Sequence, residues 1–272
     1  MRVTLLGTGG SAGVPMIGGA DGRGDWGVCD PAEPRNVRSR ASIVIEGEGS
    51  DLGGEGALLI DTAPDLRAQL LACGISRVSA VLYTHAHADH ITGLDDIRLL
   101  NRIAGMPLDA FATKATLDEI RMRFGYAFRP WEPPGFFRPV LTPHEVAPGQ
   151  LVRMAGMDVS LFDQDHGFVR TLGLRAGGFG YSTDVVGLDD AAFAVLAGID
   201  TWVLGCFQRA AHQTHASLER ALDWVARLRP RRTVLTHMGV DMDWSWLRGH
   251  LPVGVEPGHD GQVLEIGCGG KF

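Results

Sequence analysis

Short apolar runs separated by turn residues mark out the first part of the chain. RVTLLG, ASIVIEG and ALLID read as strands, and the polar, Gly-rich GEGSDLGGEG between the last two reads as a hairpin connection. The pattern then changes period. PDLRAQLLACG spaces its apolar residues as a helix does, with Pro64 and Asp65 at its start and Gly74 at its end, and VSAVLYT follows as a buried strand. Helical spacing returns in ITGLDDIRLLNRIAG, DAFAT is a short strand, and KATLDEIRMRFG is another helix.

From Tyr126 to Gly149 the chain is rich in proline but carries Trp131, Phe136 and Phe137, which is unlike a solvated linker. Packing near a cleft is expected there, with the aromatic side chains either lining its mouth or filling the loop. The strand rhythm resumes with LVRMAGMDVSLFDQDHG, LGLRAGGFGYSTD and TWVLGCF, then a helix, SLERALDWVARL, and a last strand ending in THMG. Two halves of similar rhythm, their sheets packed face to face with helices outside, predict an α/β fold occupying residues 1–272 as a single domain. GTGGSA, at Gly7 to Ala12, matches the loose dinucleotide fingerprint, but GVPMIGGADGRGDWG offers no helix to follow it. A tight loop at a cleft floor is the better reading.

The chain has 272 residues, an apolar share of 45% and a net charge of -7. The acidic balance argues against a surface that grips long nucleic acid through phosphate contacts. No apolar run approaches a membrane span and the N-terminus does not resemble an export signal, so a cytoplasmic location is expected. Cys29, Cys73, Cys206 and Cys268 are scattered without CxxC pairing, which indicates neither a disulfide framework nor a cysteine zinc site; Cys73, in step with Leu66 and Leu70, suits core packing.

Chemistry concentrates in THAHADH. His85 and His87 are two apart in an extended segment and can point the same way, while Asp89 and His90 come after a turn. One catalytic zinc takes about four ligands and leaves a position open, so two adjacent ions divide these residues more naturally. His166, Asp184 and His237, each at the end of an expected strand, are candidates to complete both shells. His144, His250 and His259 sit near Pro or Gly and read as surface residues. Arg38 and Arg40 could steer a phosphate or serve as salt-bridged arginines on a sheet face.

The THAHADH stretch, with Asp61, His166, Asp184 and His237 in order, resembles the HxHxDH signature of the metallo-beta-lactamase fold superfamily. The resemblance covers nearly the whole chain and implies an αββα sandwich. It further implies His85, His87 and His166 on one divalent ion, Asp89, His90 and His237 on a second, and Asp184 bridging them, with Asp61 orienting a ligating imidazole. LLGTGGSAGVP, NVRSRAS, YSTD and HQTH look like the branch of PhnP-type cyclic phosphodiesterases, ribonuclease Z and the pyrroloquinoline quinone biosynthesis B protein. That branch uses a histidine just before a late helix at the leaving group. His215 fits that role, with His212 the rival, and Asp89 joins it among the catalytic candidates. The chain departs from the PhnP type in keeping only Cys29 of a zinc-binding cysteine cluster and in having Gly239, Val240 and Asp241 after THM, so no third metal is expected.

The expected activity is therefore that of a hydrolase with two divalent ions, zinc or manganese, cleaving a small cyclic or nucleotide-like phosphodiester. The ions would lower the proton affinity of a shared water and clamp the phosphodiester oxygens. A structured-RNA nuclease ranks lower because no Gly/Lys-rich arm is inserted between the motifs, and an exported lactamase because an export signal is missing. The alternative from another class is a cofactor-biosynthesis or ligand-binding protein without phosphodiester turnover. A small phosphorylated substrate, no membrane partner and a symmetric homodimer complete the expectation.

Overall fold

The computed structural model describes residues 1–47, 56–133 and 135–267, so most of GEGSDLGGEG, and Cys268, lie outside the described residues. The strands are β1 (Arg2–Gly7), β2 (Ser42–Glu46), β3 (Ala57–Ile60), β4 (Ala80–Leu82), β5 (Leu108–Ala112), β6 (Leu141–Glu145), β7 (Leu151–Met154), β8 (Met157–Asp165), β9 (Arg170–Ala176), β10 (Phe179–Ser182), β11 (Thr201–Gly205), β12 (Arg232–Thr236), β13 (Val255–Pro257) and β14 (Val263–Glu265). The helices are α1 (Leu66–Cys73), α2 (Ala88–Ile91), α3 (Ile97–Ala104), α4 (Lys114–Phe124), α5 (Asp190–Leu196), α6 (Leu218–Leu228) and α7 (Trp244–His250).

Two seven-stranded sheets form, in the orders β14-β1-β2-β3-β4-β5-β6 and β13-β12-β11-β10-β9-β8-β7. Each is mixed: β3 to β6 and β10 to β13 run parallel, while hairpin partners such as β1–β2 and β8–β9 run antiparallel. The alternation along β3 explains the layers. Leu58 and Ile60 join Leu161, Leu174, Val203 and Val234 in a core between the sheets, whereas Leu59 faces the other way, into a cluster with Leu66, Leu70, Ile97, Leu117 and Ile120 of the helices. Trp202, Leu204 and Leu235 face Ala192, Leu196 and Ala221 on the opposite outer side. The result is an αββα sandwich, the architecture that the resemblance implies.

Local chemistry sets the helix ends. Gly74 stops α1 at φ 66°, Thr113 caps α4 through the Thr116 amide, and Ser217 caps α6 through that of Arg220. Cys73 is partly buried against the α1 cluster.

Two expectations need correction. ITGLDDIRLLNRIAG is not one helix: α2 ends at Ile91, a 3-10 turn covers Leu94–Asp96, and α3 starts at Ile97. The break is imposed from outside, because the Thr62 amide donates to His90 O at 2.8 Å and the Gly93 amide to Thr62 O at 3.0 Å. The proline-rich segment contains strand β6, which accommodates Pro143 because it is the edge of its sheet. Trp131 stacks on Phe136 at 4.6 Å and donates to Gly135 O, while Phe137 is exposed, so these rings pack the loop and do not line the cavities beside the histidine cluster. His144 lies on β6 and pairs with Asp109; it and His259 are half-buried, and His250 is exposed.

Candidate metal centre

The parallel strands point their C-terminal ends at one place, where β3, β4, β10 and β12 deliver Asp61, His85, Asp184 and His237 in the residues immediately after them. Asp61, Asp184 and His237 have φ of 61°, 45° and 56°, a left-handed conformation costly for residues with a Cβ. Packing holds them there: the Asp61 amide donates to Leu82 O, and the next residue after His237, Met238, donates to Thr8 O.

The site residues fall into two groups sharing one member. His85, His87, His166 and Asp184 form the first and Asp89, His90, Asp184 and His237 the second, each with its ligating atoms within 4.8 Å of one another. Asp184 turns a different oxygen to each. Oδ1 lies 3.2 Å from His90 Nε2 and 3.1 Å from His237 Nε2, and Oδ2 lies 3.5 Å from His166 Nε2 and 3.7 Å from His85 Nε2. Asp89 Oδ2 is 3.3 Å from His90 Nε2, and His87 Nδ1 is 3.3 Å from His166 Nε2.

Outer partners aim the rings. Asp61 accepts from the Thr84 amide and hydroxyl at 2.7 and 2.8 Å and lies 2.7 Å from His90 Nδ1, which fixes the His90 proton on that nitrogen and leaves Nε2 inward. His85 Nδ1 is 3.0 Å from the Thr84 hydroxyl, and His166 Nδ1 donates to Thr214 O at 2.7 Å. The inward atoms are then stranded: His85 Nε2, His90 Nε2 and both ring nitrogens of His237 are buried without a hydrogen-bond partner. Each such atom costs about 1–3 kcal/mol unless something satisfies it. Bonds of about 2.0–2.2 Å to a tetrahedral cation place ligand atoms roughly 3.3–3.6 Å apart, which matches the spacings here. The donor set fits divalent metal ions.

The electrostatics are those of a cavity built for cations. Burial, then the neighbouring His90, holds His85 well below the ordinary histidine value, and burial with His166 lowers His87. For His90 burial is outweighed by Asp184 and Asp61, which raise it. Asp184 and Asp89 stay ionised far below the usual carboxylate range, because the surrounding histidines, His237 foremost, overcome burial.

His215 is half-buried beside this cluster, its ring 4.6 Å from that of His166 and 4.9 Å from that of His237. Burial and His237 push its pKa down to about 3. His212 is exposed, with Nδ1 engaged by Thr214. A cleft of ≈ 350 Å³ opens over the cluster, lined by His87, Asp89, His166, Asp184 and His215. Ser11 and Phe168 also line it, and sequence reasoning missed both. Ser11 belongs to the GTGGSA loop, whose Gly10 packs on Phe207 and His237, so that loop was a signal read only for its position. Arg38 and Arg40 do not face the cleft. Arg38 is buried and donates to Met242 O, Gly239 O and Asn36 Oδ1, and Arg40 pairs with Asp65 at 3.1 Å.

Comparison with known proteins bears on this geometry. Residues 57–238 match the model of the beta-lactamase superfamily domain. The crystal structure of a new diphosphatase from the PhnP family superposes with a TM-score of 0.86 at 31% identity, covering 98% of each chain. Zinc-bound PqqB from Methylobacterium extorquens superposes with a TM-score of 0.75 at 20% identity, over 98% of this chain and 100% of that one. The chain is also 33% identical over 239 residues to an octanoyltransferase of Porphyromonas gingivalis, but this covers 88% of the chain and only 46% of that protein, so it spans about half the length of that curated relative.

Proposed function

The chain belongs to the beta-lactamase superfamily, as a hydrolase of the metallo-beta-lactamase fold with a His and Asp cluster able to bind metal ions, and from that premise we propose that it is a dinuclear phosphodiesterase. Its substrate is a small organic phosphodiester, cyclic or nucleotide-like, or the related diphosphate linkage. The observation carrying this is Asp184, whose two carboxylate oxygens face two separate groups of stranded imidazole nitrogens. Two divalent ions, when bound, supply an activated water and positive charge against the phosphate oxygens.

The protein's own groups do the rest. Asp184 keeps the two ligand groups together, and Asp61 holds the Nδ1 proton of His90 so that Nε2 stays free. His215, neutral at pH 7, directs a ring N–H toward the leaving oxygen and moderates its developing charge. Phe207 packs against the His215 ring at 4.9 Å and limits its rotation.

A second reading, acyl transfer, has the octanoyltransferase match in its favour. Against it, the described residues lining the cleft include no thiol or amine, and their hydroxyls are those of Ser11 and Thr214. Assays of bis-p-nitrophenyl phosphate, an octanoyl thioester and nitrocefin on one metal-analysed sample separate the readings. Diester cleavage abolished by Asp184→Ala is expected; thioester cleavage alone, or full metal occupancy with no turnover, refutes the phosphodiesterase.

A further inference from the structure

A second cavity, of ≈ 580 Å³, shares His87 with the cleft. Its floor is the His85–Ala86–His87 segment, one wall is α4, and the opposite wall is the β8–β9 hairpin. The turn of that hairpin divides the two spaces, with Phe168 lining the cleft and Val169 the second cavity. A group attached to a phosphate held over the cluster can therefore extend past His87 into this space, away from His215.

The walls state what that group is. Two cations line the cavity and each is already matched: Arg123 pairs with Glu119 at 2.9 Å, and Arg170 with Asp163 at 2.5 Å. Arg123 also donates to Ala86 O at 2.7 Å, which ties α4 to the segment carrying His85 and His87. With both guanidinium groups balanced by carboxylates, the wall carries no net charge to favour a charged arm. Beyond these pairs and the floor, Ala115, Val169 and Leu172 give the lining apolar surface, and Thr113, Thr116 and Thr171 add hydroxyl-bearing side chains. Apolar surface beside paired guanidinium and carboxylate groups suits a ring that has an apolar face and hydroxyls at its edge, since carboxylates accept from hydroxyls and guanidinium N–H groups donate to them.

Resting on the phosphodiesterase reading, we propose that this cavity is the subsite for the arm of the substrate retained on phosphorus, and that the arm is an uncharged, hydroxylated ring group such as a nucleoside. The favoured substrate is thus two-armed: the leaving group faces His215 and the retained arm occupies the space between α4 and the β8–β9 hairpin.

Two p-nitrophenyl diesters with the same leaving group test this, one carrying thymidine on the 5′ oxygen and the other a methyl group. The metal-loaded protein should cleave the thymidine ester with a kcat/KM at least about tenfold higher. Ala115→Phe, at an exposed α4 position on the cavity wall, should remove that advantage by raising KM, with the methyl ester and the metal content unchanged. Equal kcat/KM for the two esters in the unmodified protein, or equal losses for both in Ala115→Phe, overturns the subsite. If neither ester is cleaved, the phosphodiesterase reading falls, and titration with thymidine followed by NMR decides the subsite separately. Shifts at residues 113–123 that disappear in Ala115→Phe support it, and no shifts refute it.

Discussion

His215 and His212 are three positions apart in HQTH, yet their surroundings differ. His215 is packed between the rings of His166 and His237, and His212 is exposed. His215→Ala should lower kcat by about 10²–10³ with two ions still bound, while His212→Ala stays near the unmodified rate; metal analysis alongside steady-state kinetics checks both. The same burial has a consequence for stability. His85, His87 and His215 remain neutral in the fold below the ordinary histidine value of 6.5, where the unfolded chain takes up protons. The unfolded state then binds more protons, so each of these groups withdraws stability as pH falls, by up to about 1.4 kcal/mol per pH unit. His90 acts in the opposite sense, its contribution being complete below 6.5 and lost as pH rises through its elevated value. Among these histidines three oppose one, which predicts that the Tm of the chelated protein drops between pH 7 and pH 5, with Asp61, raised by burial, reducing the drop. A flat or rising Tm would mean that these imidazoles are not buried as described. The HxHxDH spacing made four of these residues legible in sequence because they are neighbours along the chain. The left-handed backbone at Asp61, Asp184 and His237 was not legible, since none is a glycine and the strain is held by contacts with distant segments.

At the level of elements, the strands that were read came from their apolar runs and the helices from their apolar spacing, with start and stop residues helping at α1. The misreadings came where tertiary contacts overrode the local pattern. The helix expected over ITGLDDIRLLNRIAG breaks because Gly93 lies against the backbone after β3, where an added Cβ would come within 2.0 Å of Ala63 O. Gly93→Ala should therefore cost about 1–3 kcal/mol or more by overpacking, and because the same contact positions α2, it should also reduce occupancy of the group containing Asp89 and His90. Differential melts with and without added zinc check this: the metal-induced rise in Tm should shrink in the variant. β6 was hidden by its proline, which an edge strand tolerates and an interior strand would not. Arg38 was read as steering a phosphate or as a salt-bridged arginine on a sheet face, whereas it is buried and ties the segment before β2 to the loop after β12 through Gly239 O and Met242 O. Arg38→Ala should destabilise by about 3 kcal/mol and lower Tm by about 6–12 °C, and lysine, lacking the planar fork, should not rescue it. An unchanged Tm would remove Arg38 from this structural role.

At the scale of the molecule, the two sheets each supply part of one cluster. β3 and β4 deliver Asp61, His85, His87, Asp89 and His90, and β8, β10 and β12 deliver His166, Asp184 and His237. The layered architecture was legible because both halves repeat the same strand and helix rhythm. The cavity between α4 and the β8–β9 hairpin was not, because it exists only where the two halves meet. Among the described residues no helix is long and apolar enough to cross a membrane. The account as a whole depends on Asp184 standing between two cations. Anomalous diffraction from crystals grown with manganese or zinc, recorded at the metal edge, measures that directly. Two peaks about 3.5–4 Å apart, one on each side of the Asp184 carboxylate, are predicted; a single peak, or metal bound away from Asp184, would contradict it.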